Sequence, residues 1–424
     1  MQLQLDEHLV CGALPSAATE ARQTLAEFSA VLVAARARNA SAGEIAVECY
    51  LPSFNAAIVL NDLQRADEIR RDVDESAIPE PRLPLWWSLN FRLDYSLQDY
   101  GAADGWCHKG LTALQDQDRN TAVAYHQLAM IAQHEGDFDA AEQWLRQSLE
   151  IAVTNEVPDQ IAVVCHQLGR NAQELLDLDS AETWYREALS VKDQLEDYGS
   201  TACTCHQLAM IHQSRADYVV AAEWYQKSID LCAGAGLTTP AASSCYQLGQ
   251  LSMAEGDIGK AEISYNKALE LDAQNGTGHL GTCVFGELGA VAVENGDYDT
   301  ARRRYVRALE LAEAHGSDIE MADVFGKLAG LAGLEEQYEE CGRWYMKSIL
   351  GFLKSNDRLD ARASAQDLIA WYHRAPRQSQ MQLREMWLDV GLGPFIDDEF
   401  DDIGAEMEQG TRSIDVSLPD WSTP

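Results

Sequence analysis

Apolar positions along this chain recur with a helical rather than an alternating rhythm. Tyr125, Leu128, Ala129 and Ala132 fall at i, i+3, i+4 and i+7, one stripe of a helix. After a polar break, Ala141, Leu145, Ser148 and Leu149 form a second stripe. The pair of stripes then returns at a spacing of 40, in six ungapped segments beginning at Thr121, Ile161, Thr201, Ala241, Gly281 and Met321. Leu128, Leu168, Leu208, Leu248, Leu288 and Leu328 make an invariant column, each followed by Gly or Ala. In the second stripe a bulky column (Leu145, Tyr185, Tyr225, Tyr265, Tyr305, Tyr345) lies four residues after a small one (Ala141 to Cys341). Each segment is therefore predicted to be a helical hairpin. Small columns let the two helices cross closely, and the Tyr column fills the space beside them.

Punctuation agrees with this reading. Asp137, Asp177, Asp217, Asp257 and Asp297 precede the second helices, with Gln337 in the sixth segment. A carboxylate there accepts the unpaired N–H groups of a first helical turn. Between Pro84 and Pro376 the only prolines are Pro158 and Pro240, both at segment junctions, where they spare helix interiors a cost of ~3 kcal/mol or more. Gly234, Gly236, Gly276 and Gly316 are expected to stop helices. Weaker copies flank the core. Gln98 to Ala103 with Trp106 mimics Gly136 to Ala141 with Trp144, offset by 38, and Asn61-Asp62-Leu63 with Ala66 is an earlier, degraded copy. The expected organisation is an N-terminal capping helix region (1–40), divergent repeats (41–120), six repeats (121–360), C-terminal capping helices (361–390) and an acidic, flexible tail (391–424).

The columns resemble the tetratricopeptide repeat family, whose pattern has a bulky residue, then Leu and Gly/Ala, later Ala, an aromatic and Ala. Leu128, Ala129, Ala141, Leu145 and Ser148 occupy those places in the first segment. Three features depart from the family: a period of 40 instead of about 34, small or polar residues at the family's first-helix tyrosine (Ala132, Ala172, His212, Ser252), and no closing proline. In its period the chain is similar to the longer members, such as kinesin light chains and bacterial peptide-sensing regulators. The resemblance implies an all-α, right-handed superhelical solenoid of helical hairpins, whose core is buried between neighbouring repeats.

Composition narrows the function. With 68 acidic and 32 basic side chains the formal net charge is −36, so neither a nucleic acid nor an anionic membrane surface is an expected partner. A hydrophobic content of 46% excludes global disorder. No apolar run approaches the ~18 residues a membrane span needs. Asp6 and Glu7 stand where an export signal carries positive charge, so Leu9-Val10-Cys11 is not read as an export or lipidation signal, and a cytoplasmic location is expected. The ten cysteines include no CxxC pair and are expected to be reduced and mostly buried. No P-loop, nucleophile elbow, HExxH or dinucleotide fingerprint occurs, so the expectation is a non-enzyme with no cofactor and no metal.

Candidate binding residues follow from the resemblance. In the family one first-helix stripe faces a concave groove. Here it carries His126, Met130 and Gln133, then His166, Arg170 and Gln173, then His206, Met210 and Gln213, then Tyr246, Gln250 and Met253. Histidines one repeat apart, ~10 Å, cannot share a zinc whose ligands lie ~2.1 Å away. The stripe is polar and adaptable, suited to a protein or peptide partner; packing between repeats is the competing reading. Farther on, the same columns become Gly286, Ala290 and Val293, then Gly326, Gly330 and Gly333. These glycines accommodate either a bulky group or a close backbone. Arg302, Arg303, Arg304 and Arg307 are a candidate patch for an acidic partner or, with nearby acids, a salt-bridged surface. From Asp397 to Pro424 nine acidic residues and one Arg give −8, a segment expected to reach a basic protein partner, with Leu418 to Trp421 as its apolar anchor. The expected function is a protein- or peptide-binding scaffold or adaptor. The alternative is a ligand-gated regulator of a signalling ATPase or protease.

Overall fold

The computed structural model describes residues 15–37, 47–113, 119–195, 197–275, 280–392 and 395. The acidic segment from Asp397, with its Leu418 to Trp421 end, lies outside the described residues, as do residues 1–14 and Gly276. Among the described residues every regular element is a helix and none is a strand. The chain divides into two compact units, Met1–Ser244 and Cys245–Pro424.

Unit 1 runs through α1 (Pro15–Ala37), α2 (Val47–Val59), α3 (Leu63–Arg71), α4 (Leu83–Ser96), α5 (Tyr100–Ala113), α6 (Arg119–Glu135), α7 (Phe138–Thr154), α8 (Pro158–Glu174), α9 (Leu178–Leu195), α10 (Tyr198–Ser214) and α11 (Tyr218–Ala235). Helices α6 and α7, α8 and α9, and α10 and α11 pair as hairpins, and each hairpin packs on the next through α7–α8 and α9–α10. The small columns lie at the crossings: Ala129, Ala141, Ala181, Ala209 and Ala221 are completely covered. Tyr185 and Tyr225 are also fully buried. Cys165 and Cys205 fill bulky core places as expected, and burial pushes the Cys165 thiol up to about 12. Cys203 is disulfide-bonded, so at that position the expectation of reduced thiols fails.

The boundary between the units falls within α12 (Thr238–Ala254). Unit 2 continues with α13 (Ile258–Asn275), α14 (Gly281–Glu294), α15 (Tyr298–His315), α16 (Asp318–Leu334), α17 (Tyr338–Lys354), α18 (Arg358–Arg374) and α19 (Arg377–Asp389). Its hairpins α14–α15 and α16–α17 stack in the same manner, and α19 packs on α17. Leu392 is buried, and the Phe395 ring lies 4.7 Å from Tyr372. The segment after residue 390 is thus bound to unit 2 at its start.

The expected caps form at Asp137, Asp177, Asp257 and Asp297, whose carboxylates accept from the N–H three residues on at 3.0–3.1 Å. Asp217 makes no such bond; its carboxylate lies 3.5 Å from His212 Nδ1. Gly236 and Gly316 end α11 and α15 in the left-handed conformation, each at φ +69°, where glycine pays no Cβ penalty. Gly234, by contrast, sits inside α11 and stops nothing.

Candidate partner-binding face

The first helices of successive hairpins present three columns side by side, and the columns do different things. The histidine column in unit 1 is turned toward the next hairpin. His166 Nδ1 lies 3.0 Å from Thr204 Oγ1, and His206 Nδ1 lies 2.9 Å from Ser244 Oγ. Their rings rest against Tyr185 and Tyr225, both at 5.2 Å. For His126 the corresponding neighbour is Val164, and its Nε2 is buried with no hydrogen bond. Desolvation lowers the pKa of His126 and His206 to about 4, so both are neutral at pH 7. His206, 7% exposed, is a packing residue.

The glutamine column seats the core tyrosines. The Tyr185 hydroxyl donates to Gln173 Oε1 at 3.1 Å, and the Tyr225 hydroxyl to Gln213 Oε1 at 2.7 Å. Gln133 faces a hairpin with Leu145 in the tyrosine place and donates instead to Asn171 Oδ1 at 3.3 Å.

The middle column differs. Met130, Arg170 and Met210 are all half-buried, and Arg170 forms no ion pair among the described residues. Arg92 on α4 belongs to the same column once the 38-residue offset of the first weak copy is applied. It was missed because only the second helix of that copy shows the pattern. Arg92 is exposed, and its guanidinium donates to Asn55 Oδ1 at 3.0 Å. Desolvation nevertheless lowers its pKa. Next to it, desolvation raises Tyr95, the Tyr100 hydroxyl raises it further, and the Arg170 charge lowers it. Arg170 therefore lies near the Tyr95 hydroxyl.

In unit 2, half-buried Tyr246 packs 5.9 Å from Tyr265 and accepts from Gln250 Nε2 at 3.0 Å. Met253 replaces the seating glutamine, and the Tyr265 hydroxyl is buried without a hydrogen-bond partner. Of the glycines beyond, Gly286 and Gly333 are covered by side chains from the next hairpin. A Cβ at Gly286 would lie 3.3 Å from Lys327 Cε, and one at Gly333 would lie 2.6 Å from the Trp371 ring. Lys327 Nζ reaches Glu287 at 3.0 Å and Asp323 at 3.7 Å. A Cβ at Gly326 or Gly330 would meet only its own hairpin, Ser348 Oγ at 3.5 Å and the Tyr345 hydroxyl at 3.8 Å, both ordinary contact distances, and Ala290 and Val293 are half-buried on α14.

The arginine patch is occupied by the chain's own carboxylates. Arg302 pairs with Glu335 and Glu340, Arg304 with Glu262 at 3.1 Å, and Arg307 with Glu310 at 2.6 Å. Arg303 donates to Thr300 Oγ1 at 2.8 Å. Among the described residues no group of His, Cys, Asp and Glu has an arrangement that holds a metal, and no helix is long and apolar enough to cross a membrane.

Models of the tetratricopeptide repeat match residues 240–316 and 121–154. No curated protein matches the chain. Several solved structures are similar in fold. The apo form of RapI superposes with a TM-score of 0.56 at 12% identity, over 77% of this chain and 97% of that one. A signal-transduction ATPase with numerous domains and a tetratricopeptide repeat sensor, from Pyrococcus horikoshii, superposes with a TM-score of 0.58 at 14% identity over 82% of this chain. The chain spans 50% of that protein's length. A Rap protein complexed with competence and sporulation factor superposes with a TM-score of 0.50 at 15% identity, over 87% of this chain and 99% of that one.

Proposed function

We propose that this protein, a member of the tetratricopeptide-repeat family, is a non-enzymatic, cytoplasmic scaffold that binds a protein or peptide on the first-helix face of unit 1. The observation that carries this reading is the middle column. Met130, Arg170 and Met210 come from three successive first helices, stay half-buried, and are not tied into the hydrogen bonds that fix the flanking His and Gln columns. Flexible thioethers and a mobile guanidinium are side chains that adapt to a partner. The fold supports a protein-interaction role, and a Rap protein of similar fold was crystallised with competence and sporulation factor.

The test is joint replacement of Met130, Arg170 and Met210 by Ala. Partner recovery from the native host should be lost and the melting temperature unchanged. Replacing His206 and Gln213 by Ala should do the reverse, lowering the melting temperature by loosening the hairpins. If the triple variant recovers the partner as the native chain does, binding lies elsewhere.

A further inference from the structure

We infer that the outer face of α19 is a docking strip for the chain's own acidic segment 397–403, which covers the C-terminal end of unit 2. This is independent of the first-helix face of unit 1. The last helix of a solenoid has no following repeat on it, and its outer side is ordinarily polar. That of α19 is mixed. Arg377, Met381, Arg384 and Leu388 fall at i, i+4, i+7 and i+11, one stripe of the helix, and all four are exposed. Met381 is 69% and Leu388 59% exposed, whereas Leu383 and Trp387 are buried and hold the helix to the unit. Arg377 forms no ion pair among the described residues. Nor does Arg374 at the end of α18, whose guanidinium lies 5.0 Å from the Trp371 ring. Glu385 and Asp389 flank one side of the stripe; on the other, Arg384 leans over Tyr372 of α18 at 5.9 Å. Helices α18 and α19 carry five basic against four acidic residues, in a chain with 32 against 68.

The last described residue lies against this strip. The Phe395 ring is 4.7 Å from Tyr372 and 5.6 Å from Trp387, and the Arg384 guanidinium is 5.4 Å from it. Two residues on comes Asp397-Asp398-Glu399-Phe400-Asp401-Asp402-Ile403, which holds five of the nine carboxylates of the tail and two apolar side chains. Arg377 and Arg384 are seven residues apart, ~10 Å along the helix, a length that roughly three residues of extended chain span. Carboxylates on either side of Phe400 then meet the two guanidinium groups in charge-assisted hydrogen bonds, and Phe400 meets Met381. Because Phe395 tethers the segment, its encounter with the strip is intramolecular, at an effective concentration on the order of mM. A second copy of the chain competes against that concentration.

Peroxide oxidation of Met381 to its sulfoxide in the full chain, followed by mass spectrometry, tests this. The D398N/E399Q/D401N/D402N variant changes no described residue and should oxidise at Met381 roughly fivefold faster than the native chain. R377E/R384E, with an unchanged melting temperature, should do the same, and combining it with D398K/E399K/D401K/D402K should restore slow oxidation. Protection in the native chain should persist on dilution and weaken in ~1 M NaCl. Equal rates in the native and tail-neutralised chains would overturn the docking. Protection lost on dilution would assign the strip to a second copy and overturn the intramolecular arrangement.

Discussion

Tyr185 and Tyr225 each bury a hydroxyl that finds an acceptor twelve residues earlier, whereas Tyr265 meets Met253 and stays unpaired. A buried donor without a partner costs about 1–3 kcal/mol, and a typical formed bond contributes about 0.5–1.5 kcal/mol. Gln213→Met should therefore lower unfolding stability by roughly 1–3 kcal/mol, and Met253→Gln should raise it by roughly 0.5–1.5 kcal/mol. Urea midpoints at constant m-value distinguish the two signs. Histidine 206 gives a pH signature at the same scale. Its folded pKa is about 4, lowered by desolvation, against ~6.5 in an unfolded chain. Between those values the unfolded state binds more protons, so stability falls as pH drops from about 6.5 to about 4. His206→Gln should flatten that slope in a series of urea melts. A slope unchanged in the variant would mean that other groups, His126 among them, govern it.

At the scale of the helix, identical glycines differ in what they face. A Cβ on Gly289 would lie 2.3 Å from the buried Tyr305 ring, and one on Gly249 would lie 2.5 Å from Tyr265. Gly330, a first-helix residue of the same kind, has nothing nearer than the Tyr345 hydroxyl at 3.8 Å. Alanine gains about 1 kcal/mol over glycine in a helix interior, while overpacking a core costs about 1–3 kcal/mol. Gly289→Ala should thus destabilise the protein and Gly330→Ala should stabilise it by up to ~1 kcal/mol; thermal melts of both variants give opposite shifts. The hairpins themselves were legible because their causes are local. Stripe spacing, Asp caps and junction prolines all act within a turn or two of the residue read. What lay outside that reach was contact with the following hairpin. Lys327 over Gly286 and Trp371 over Gly333 come from residues 41 and 38 positions later, so the glycines read only as small. The histidines looked like groove residues for the same reason: Thr204 and Ser244, which hold them, belong to the next first helix.

Across the whole molecule the governing quantity is the charge of −36. Ion pairs do link adjacent hairpins, as Arg215 does with Glu182 and Asp179, Arg302 with Glu335 and Glu340, and Arg304 with Glu262. Such partly exposed pairs contribute only ~0–1 kcal/mol each. The surplus carboxylates repel one another over distances set by the Debye length, ~30 Å at 0.01 M salt and ~8 Å at 0.15 M. At low salt each uncompensated charge therefore feels many others along the stacked hairpins, and at physiological salt only its immediate neighbours. Screening weakens the attractive pairs as well, but these are short contacts, 2.5 Å for Arg215–Asp179 and 3.3 Å for Arg302–Glu340, well inside either screening length. The long-range repulsion is the part that salt removes. The melting temperature should consequently rise as NaCl is taken from about 0.01 M to about 0.15 M, and an uncharged osmolyte of equal osmolality should not reproduce the whole increase. A fall in melting temperature over that range would show that the bridging pairs outweigh the repulsion, and would make the arginines between hairpins the main electrostatic support of the stack.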